Sequence, residues 1–325
     1  MSHIQFTRDS RVELAAYLDA GKRKSECARL LGMHKSSIGK EISNNKGQDN
    51  IYRGSHAHKL AVERRKQGRK CFNKIKNDPK LKKYIIHKLK TFWSPEQIAG
   101  RLRRIHKETV VCHETIYQFI YTEHPDCVKY LRRQKNKYRK IRGTRARIQL
   151  NRASKIRRIE ERPAIVETRE RVGDWEGDTV VGKEKKQRVL TYVERKSGFA
   201  MAHKLEMVTA EIVQEKTVAL FRTLRLKVRH TLTRDNGPEF GDYDKDLEEK
   251  TQMMVYRATP YHSWERGTNE NWNGLFRQFC PKGTLFATIT QYYIDRVVRL
   301  LNDRPRKRLG YATPKEIFRQ CCNSD

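Results

Sequence analysis

Three things are scarce in this chain, and each shortage excludes something. No apolar run approaches the roughly 20 residues that a membrane-crossing helix needs, and the opening MSHIQFTRDS lacks the apolar centre of a secretion signal. A cytoplasmic protein without membrane contact is therefore expected. Cysteine pairs of the C-x-x-C type are missing: the seven cysteines are an odd number, which argues for neutral or buried thiols in a reducing compartment. Neither His56 and His58 with Cys71, nor Cys112 and His113 with Cys127, has the spacing of a common zinc site. Acid is the third shortage, with 38 Asp+Glu against 71 Lys+Arg and a net charge of +33. The remaining composition, 37% hydrophobic in 325 residues, suffices for two or three domains with cores of their own.

The positive charge is concentrated at the front. Residues 1–162 hold 42 Lys+Arg and 15 Asp+Glu, whereas 163–325 hold 29 and 23. Each cation that neutralises a phosphate releases a counterion, so the first half is the expected handle for double-stranded DNA. The densest stretch, LRRQKNKYRKIRGTRARIQLNRASKIRR at 131–158, has 13 basic residues and no acid. It marks a domain boundary and reads as an arm lying along a phosphate backbone.

Two helix-turn-helix units are legible in that half. Thr7 caps a helix with Val12, Leu14, Ala15 and Leu18 turned inward, and Gly21 ends it. KSECARLLGMHKSSIGKEISNN then predicts a helix from about Ser25 to Leu31, a turn at Gly32-Met33-His34 and a second helix from Lys35 to about Asn44. Small Ala28 suits a helix crossing, and Ile38 with Ile42 anchors the second helix. Lys35, Ser36, Ser37, Lys40 and Asn44 are left outward as candidate DNA contacts. In WSPEQIAGRLRRIHKETVVCHETIYQFIY, Ser94 is an N-cap, Pro95 the first helical residue, and Ile98, Ala99, Leu102, Ile116 and Phe119 face inward. The basic helical stretch AHKLAVERRKQGRK and DPKLKKYIIHKLK spaces the two units.

After Pro163 the pattern alternates. DWEGDTVVG places Asp174, Glu176 and Asp178 on one strand face and Trp175, Gly177 and Thr179 on the other. QRVLTYVERKSG and FAMAHKLEM are two more strands, AEIVQEKTVALFRTL a helix entered through Thr209, and RHTLTRDNGPEF a fourth strand ending at Asp235. Three strands, a helix, a fourth strand and further helices fit a ribonuclease-H-like fold. A helix is predicted over Trp264 to Phe279, with Glu270 on it. Carboxylates from three separate segments are costly to gather unless a cation neutralises them, and oxygen-only ligands suit Mg²⁺ or Mn²⁺. Two such ions serve an in-line phosphoryl displacement. Alternation alone does not choose among Asp174, Glu176 and Asp178. Glu265 and Glu270, five apart, do not share a helix face, while Arg266 and Asn273 are surface neighbours of Glu270 able to hold the carboxylate or a DNA phosphate.

GDWEGDTVVG, LTRDNGPEF, TPYHSWERGTNENWNGLFRQFCPKG and LNDRPRKRLGYATPKEIF, in this order, resemble bacterial transposases of the insertion-sequence-30 family, whose Asp-Asp-Glu core is shared with retroviral integrases. The two helix-turn-helix stretches resemble that family's front half. The resemblance implies Asp178, Asp235 and Glu270 as catalytic metal ligands, and divalent-metal-dependent cleavage at the ends of the mobile element followed by strand transfer.

The expected organisation is therefore multidomain. An all-α tandem helix-turn-helix half (1–50 and 91–130, with a basic helical spacer at 51–90) is followed by a basic linker arm (131–162) and an α/β ribonuclease-H-like catalytic domain with C-terminal helices (163–325). The partners expected are terminal inverted repeats, target DNA and further copies of the chain, in the bacterial nucleoid region of the cytoplasm. Arg304, Arg306, Lys307 and Arg308 are expected near DNA, and Leu309, Tyr311 and Ile317 in structural positions. A transcriptional repressor would leave the carboxylates unexplained, and a hybrid-specific ribonuclease would not need two helix-turn-helix units.

Overall fold

The computed structural model describes residues 5–71, 74–132, 157–184, 186–260 and 262–323, except the side chains of 66–71 and 263. Most of the basic arm, 133–156, lies outside the described residues, as does the side chain of Cys71. The chain forms two compact units, Met1–Lys82 and Lys83–Asp325.

The first unit is helical: α1 (Arg8–Asp19), α2 (Lys24–Leu30), α3 (Lys35–Asn45), α4 (Gly54–Cys71) and α5 (Lys74–Asn77), with α6 (Pro79–Lys90) running across the unit boundary. Thr7 and Ser10 cap α1 reciprocally, the Ser10 N–H donating to Thr7 Oγ1 at 3.1 Å and the Thr7 N–H to Ser10 Oγ at 2.8 Å. Leu14, Cys27, Ala28, Ile38, Tyr52 and Ala57 form the core, with Ala15, Leu18 and Ile42 packed against it. Val12 departs from expectation, being 49% exposed. There the helix backbone makes the contact: a Cβ on Gly54 would fall 2.6 Å from Val12 Cα, so α4 starts directly against α1. Gly32, at φ +62°, makes the turn between α2 and α3. Inside, Arg11 pairs with Glu41 at 2.7 Å, and the Asn45 amide and Tyr52 hydroxyl donate to the same carboxylate.

The second unit continues with α7 (Pro95–His106), α8 (His113–Glu123) and α9 (Ile165–Thr168) before the sheet begins. Its strands are β1 (Asp174–Val181), β2 (Arg188–Glu194), β3 (Ala200–Leu205), β4 (Thr231–Arg234) and β5 (Met254–Arg257), in the order β3-β2-β1-β4-β5. β1 to β3 form an antiparallel meander, whereas β4 and β5 run parallel to β1. The first crossover passes through α10 (Ala210–Arg222) and the second through α11 (Asp244–Thr251). Then follow α12 (Gly267–Phe276), α13 (Gln291–Asn302) and α14 (Pro314–Asn323). This is the ribonuclease-H-like topology. The sheet has one strand more than the four read from the sequence, the four-residue β5.

Period-two alternation supplies a core on each face of the sheet. Trp175, Leu190 and Tyr192 pack with Val213, Phe221 and Phe318 on one face, and Val180, Val189 and Val193 pack with Trp272, Phe276, Ile294 and Val297 on the other.

Helix α7 does not stand apart from the sheet domain. Arg101 grips Glu316 with both terminal nitrogens, one of them at 2.8 Å from Oε2, and Arg104 donates to the Gly310 carbonyl at 3.0 Å. Phe92 sits edge-on between Tyr130 and Phe279. Ser94 and Pro95 start α7 as expected, and the Gln97 side chain completes the capping box. Two of the arginines expected near DNA are used here instead. Arg304 is 3% exposed and donates to Gln97 Oε1 at 2.8 Å and Gln278 Oε1 at 3.1 Å. Arg306 donates to the Leu301 carbonyl at 3.1 Å. The closing segment 304–311 is thus mainly a seat for α7, with Lys307 paired to Glu96 at 2.9 Å and only Lys307 and Arg308 exposed among its four cations.

Candidate active site

Strand register brings two aspartates together. β1 and β4 are parallel with Glu176 opposite Thr233, so two residues further along each strand the side chains of Asp178 and Asp235 emerge next to each other on the same face. Arg266 confirms the convergence: Nη1 lies 3.3 Å from Asp178 Oδ1 and Nη2 3.2 Å from Asp235 Oδ2. Nη1 also donates to the Gly177 carbonyl at 3.3 Å.

The remaining acids of β1 are committed to the fold. Asp174 is 1% exposed, accepting from Arg171 Nε and Nη2, both at 3.0 Å, and from the Thr231 hydroxyl at 2.8 Å. Glu176 is fully buried against Arg195 Nη1 at 2.8 Å and accepts the Asn269 backbone N–H at 2.8 Å. Asp178 keeps an exposed edge. Tertiary pairing thus makes the choice that alternation left open.

Each aspartate is held from behind. The Asn273 amide donates to Asp178 Oδ2 at 2.8 Å, and its own carbonyl oxygen accepts from the Thr191 hydroxyl at 3.2 Å. Asn269, buried beneath it, donates to the Glu176 and Thr191 carbonyls at 2.8 and 3.2 Å. Asp235 accepts the Gly237 N–H at 3.1 Å, and its carbonyl takes Arg257 Nη1 at 2.9 Å. Arg257 is in turn fixed by Asp244, at 2.8 Å from its Nε. Burial raises the Asp178 carboxyl above the ordinary range; Arg266 pulls it down and the charge of Asp235 pushes it up.

The third acid is placed differently. The predicted helix start at Trp264 is a 3-10 turn, Ser263–Arg266, and α12 begins at Gly267, with Glu270 exposed in its first turn. Among the described residues Glu270 makes no hydrogen bond or ion pair, and no group of three His, Cys, Asp or Glu is arranged to hold a metal ion. Arg266 and Asn273, expected beside Glu270, instead hold Asp178. Glu265 is a loop anchor, accepting the Thr259 N–H at 2.7 Å and meeting His262 Nδ1 at 3.3 Å.

Sequence reading missed Thr191, Asn269, Arg195 and Arg257, whose roles exist only through partners remote in the chain. The alternating amides of GTNENWN were the one local signal.

In the first unit Lys35, Ser36, Lys40 and Asn44 are exposed on α3 and Ser37 is half-buried. Ser36 also serves the helix start: its N–H donates to His34 Nδ1 at 3.2 Å. The Asn44 carbonyl accepts from Arg64 at 2.6 Å. No described helix is long and apolar enough to cross a membrane.

A ribonuclease-H-like sheet with paired aspartates on two adjacent parallel strands, one within β1 and one just past the end of β4, defines the class of nucleic-acid strand-processing enzymes to which the second unit belongs. The chain as a whole belongs to the insertion-sequence-30 family of transposases. It is 38% identical to the transposase for insertion sequence element IS4351 of Bacteroides fragilis, over 98% of this chain and 97% of that one. It is 33% identical to transposase InsI for insertion sequence element IS30A of Escherichia coli K12, over 96% of this chain and 82% of that one. No protein-family model matches. Among solved structures, the catalytic core domain of bovine immunodeficiency virus integrase is 21% identical, with a TM-score of 0.36, over 46% of this chain and 94% of that one.

Proposed function

We propose that this transposase binds the terminal inverted repeats of its element as double-stranded DNA, cleaves there in a divalent-metal-dependent reaction, and joins the exposed 3′-hydroxyl to target DNA. One observation carries the chemistry: Asp178 and Asp235, from adjacent strands, share one guanidinium.

The pair fits a hard divalent cation. Both donors are carboxylate oxygens, both keep an exposed edge, and a single positive group already spans them. Mg²⁺ or Mn²⁺ there, one ion or two, supplies activation of the attacking oxygen and charge stabilisation at the leaving one. Asp178 and Asp235 would hold it, with Glu270 swinging in from α12 to complete the set. Asn273 keeps Asp178 oriented and Arg257 keeps the Asp235 backbone in place. Arg266, once displaced from between the aspartates, is positioned to meet a DNA phosphate. At the front, Lys35, Ser36, Ser37, Lys40 and Asn44 of α3 are the proposed DNA contacts. Because two ends must be paired, the active form is a homo-oligomer on DNA in the nucleoid.

The test is cleavage of end-labelled DNA carrying the terminal repeat, with Mg²⁺ or Mn²⁺, by wild type and by Asp178→Asn, Asp235→Asn and Glu270→Gln. Metal-dependent nicking at the repeat end, lost in all three variants while repeat binding persists, is the expected result. Retained cleavage in Asp235→Asn would sink the assignment.

A further inference from the structure

Of the four tryptophans, Trp93, Trp175 and Trp272 are 7%, 0% and 2% exposed, whereas Trp264 is 69% exposed. An indole so open to water contributes little to the core, yet it is held in place. The His262 ring stacks on it with centroids 4.3 Å apart and planes 28° from parallel. The turn that carries it is pinned on both sides. The Glu265 carboxylate takes the Thr259 N–H, and the Glu265 carbonyl accepts from Arg195 at 3.4 Å. Arg266, two residues on, spans Asp178 and Asp235. A large aromatic surface is thus presented on a pinned turn, two residues from the arginine that bridges the candidate catalytic carboxylates.

We propose that Trp264, backed by His262, is a stacking platform for an unpaired nucleobase of the DNA end being cut. This rests on the reading of the site as the DNA-cleaving centre. The partner is deduced from the surface. An indole face offers no hydrogen-bond code, so it suits a flat aromatic ligand of any sequence, and every base has such a face. Inside a duplex both base faces are already covered by neighbours, so the base received here is one freed from pairing at the terminus. A fixed platform also lowers the ordering cost of holding the frayed end with its phosphate toward the carboxylates.

The experiment uses the full chain and duplex repeat ends bearing 2-aminopurine, or an abasic site, at each of the last positions in turn. Wild type is expected to quench the 2-aminopurine at one terminal position on binding, Trp264→Ala to leave it bright, and Trp264→Phe to recover part of the quenching. Cleavage by Trp264→Ala is expected to fall by roughly 5- to 150-fold, and removal of that base to slow wild type equally without slowing Trp264→Ala further. Cleavage by Trp264→Ala at the wild-type rate, or losses from the two changes that multiply, would overturn the platform and leave the transposase reading standing. A wild-type protein that neither binds nor cuts repeat DNA would overturn both. Because the side chain is exposed, the variant is expected to keep the wild-type melting temperature, which separates lost stacking from lost fold.

Discussion

The ring of Tyr311 lies where a side chain on residue 100 would begin: a Cβ on Gly100 would fall 2.3 Å from Tyr311 Cε1. Helix α7 is therefore seated on the C-terminal segment through a position that only glycine fills without displacing the ring. Gly100→Ala is expected to push Tyr311 aside and destabilise the second unit by about 1–3 kcal/mol, as overpacking does. Thermal unfolding checks it. A melting temperature equal to wild type would show that α7 does not need this contact.

Arg266 affects the two aspartates in opposite senses as a competitor and as a counter-charge. It occupies the position between them, so Arg266→Ala is expected to raise Mn²⁺ affinity at neutral pH. It also lowers the Asp178 carboxyl, which burial has raised, so its loss raises that group further. Metal binding requires the ionised form, and affinity falls as pH drops through the Asp178 value. The acid limb of Mn²⁺ binding is therefore expected above the ordinary 3.8 in wild type and higher still in the variant. Mn²⁺ titrations followed by electron paramagnetic resonance across pH 4–8 read both effects.

Asp244 holds two buried cations, Arg234 and Arg257, which are 0% and 4% exposed. Removing it leaves two uncompensated charges, and Asp244→Ala is expected to cost about 3–5 kcal/mol or to prevent folding. Burial alone would raise the Asp244 carboxyl, but the two guanidiniums outweigh it and hold the group below the ordinary 3.8. A depressed native value stabilises the fold fully above the unfolded value and is lost as pH falls through the native one. Denaturant melts of wild type and Asp244→Asn should therefore differ most at neutral pH, start to converge as pH falls below about 3.8, and meet only below the lower native value.

Glu176 tests the separation of fold from chemistry on β1. Glu176→Gln keeps the shape but takes the negative charge from beside Arg195 Nη1, a loss of roughly 3 kcal/mol. Cleavage per folded molecule should persist, unlike that of Asp178→Asn. A folded but inactive Glu176→Gln protein would show that the buried acid belongs to the site.

Much of the architecture was local enough to read from the chain. Thr7, Gly21, Gly32, Ser94 and Pro95 act through the backbone within a few residues, so caps and turns sit where their chemistry predicts. Alternation over β1 and β2 set the two faces of the sheet. β5 and the 3-10 turn at Ser263–Arg266 were not legible: the turn has too few residues to show a period, and β5 takes its place in the sheet from its pairing with β4.

The sequence by itself determined the basic front half, the helical and alternating segments, the family resemblance and the candidacy of Asp178, Asp235 and Glu270, since each depends on composition, spacing or an unbroken motif. Tertiary structure alone decided that Glu176 is neutralised by Arg195 while Asp178 stays open, that Arg266 and Asn273 serve Asp178, and that Arg304 seats α7. A charged side chain takes its role from the partner that compensates it, and these partners lie 19 to 207 residues away along the chain, where only the fold brings them within reach.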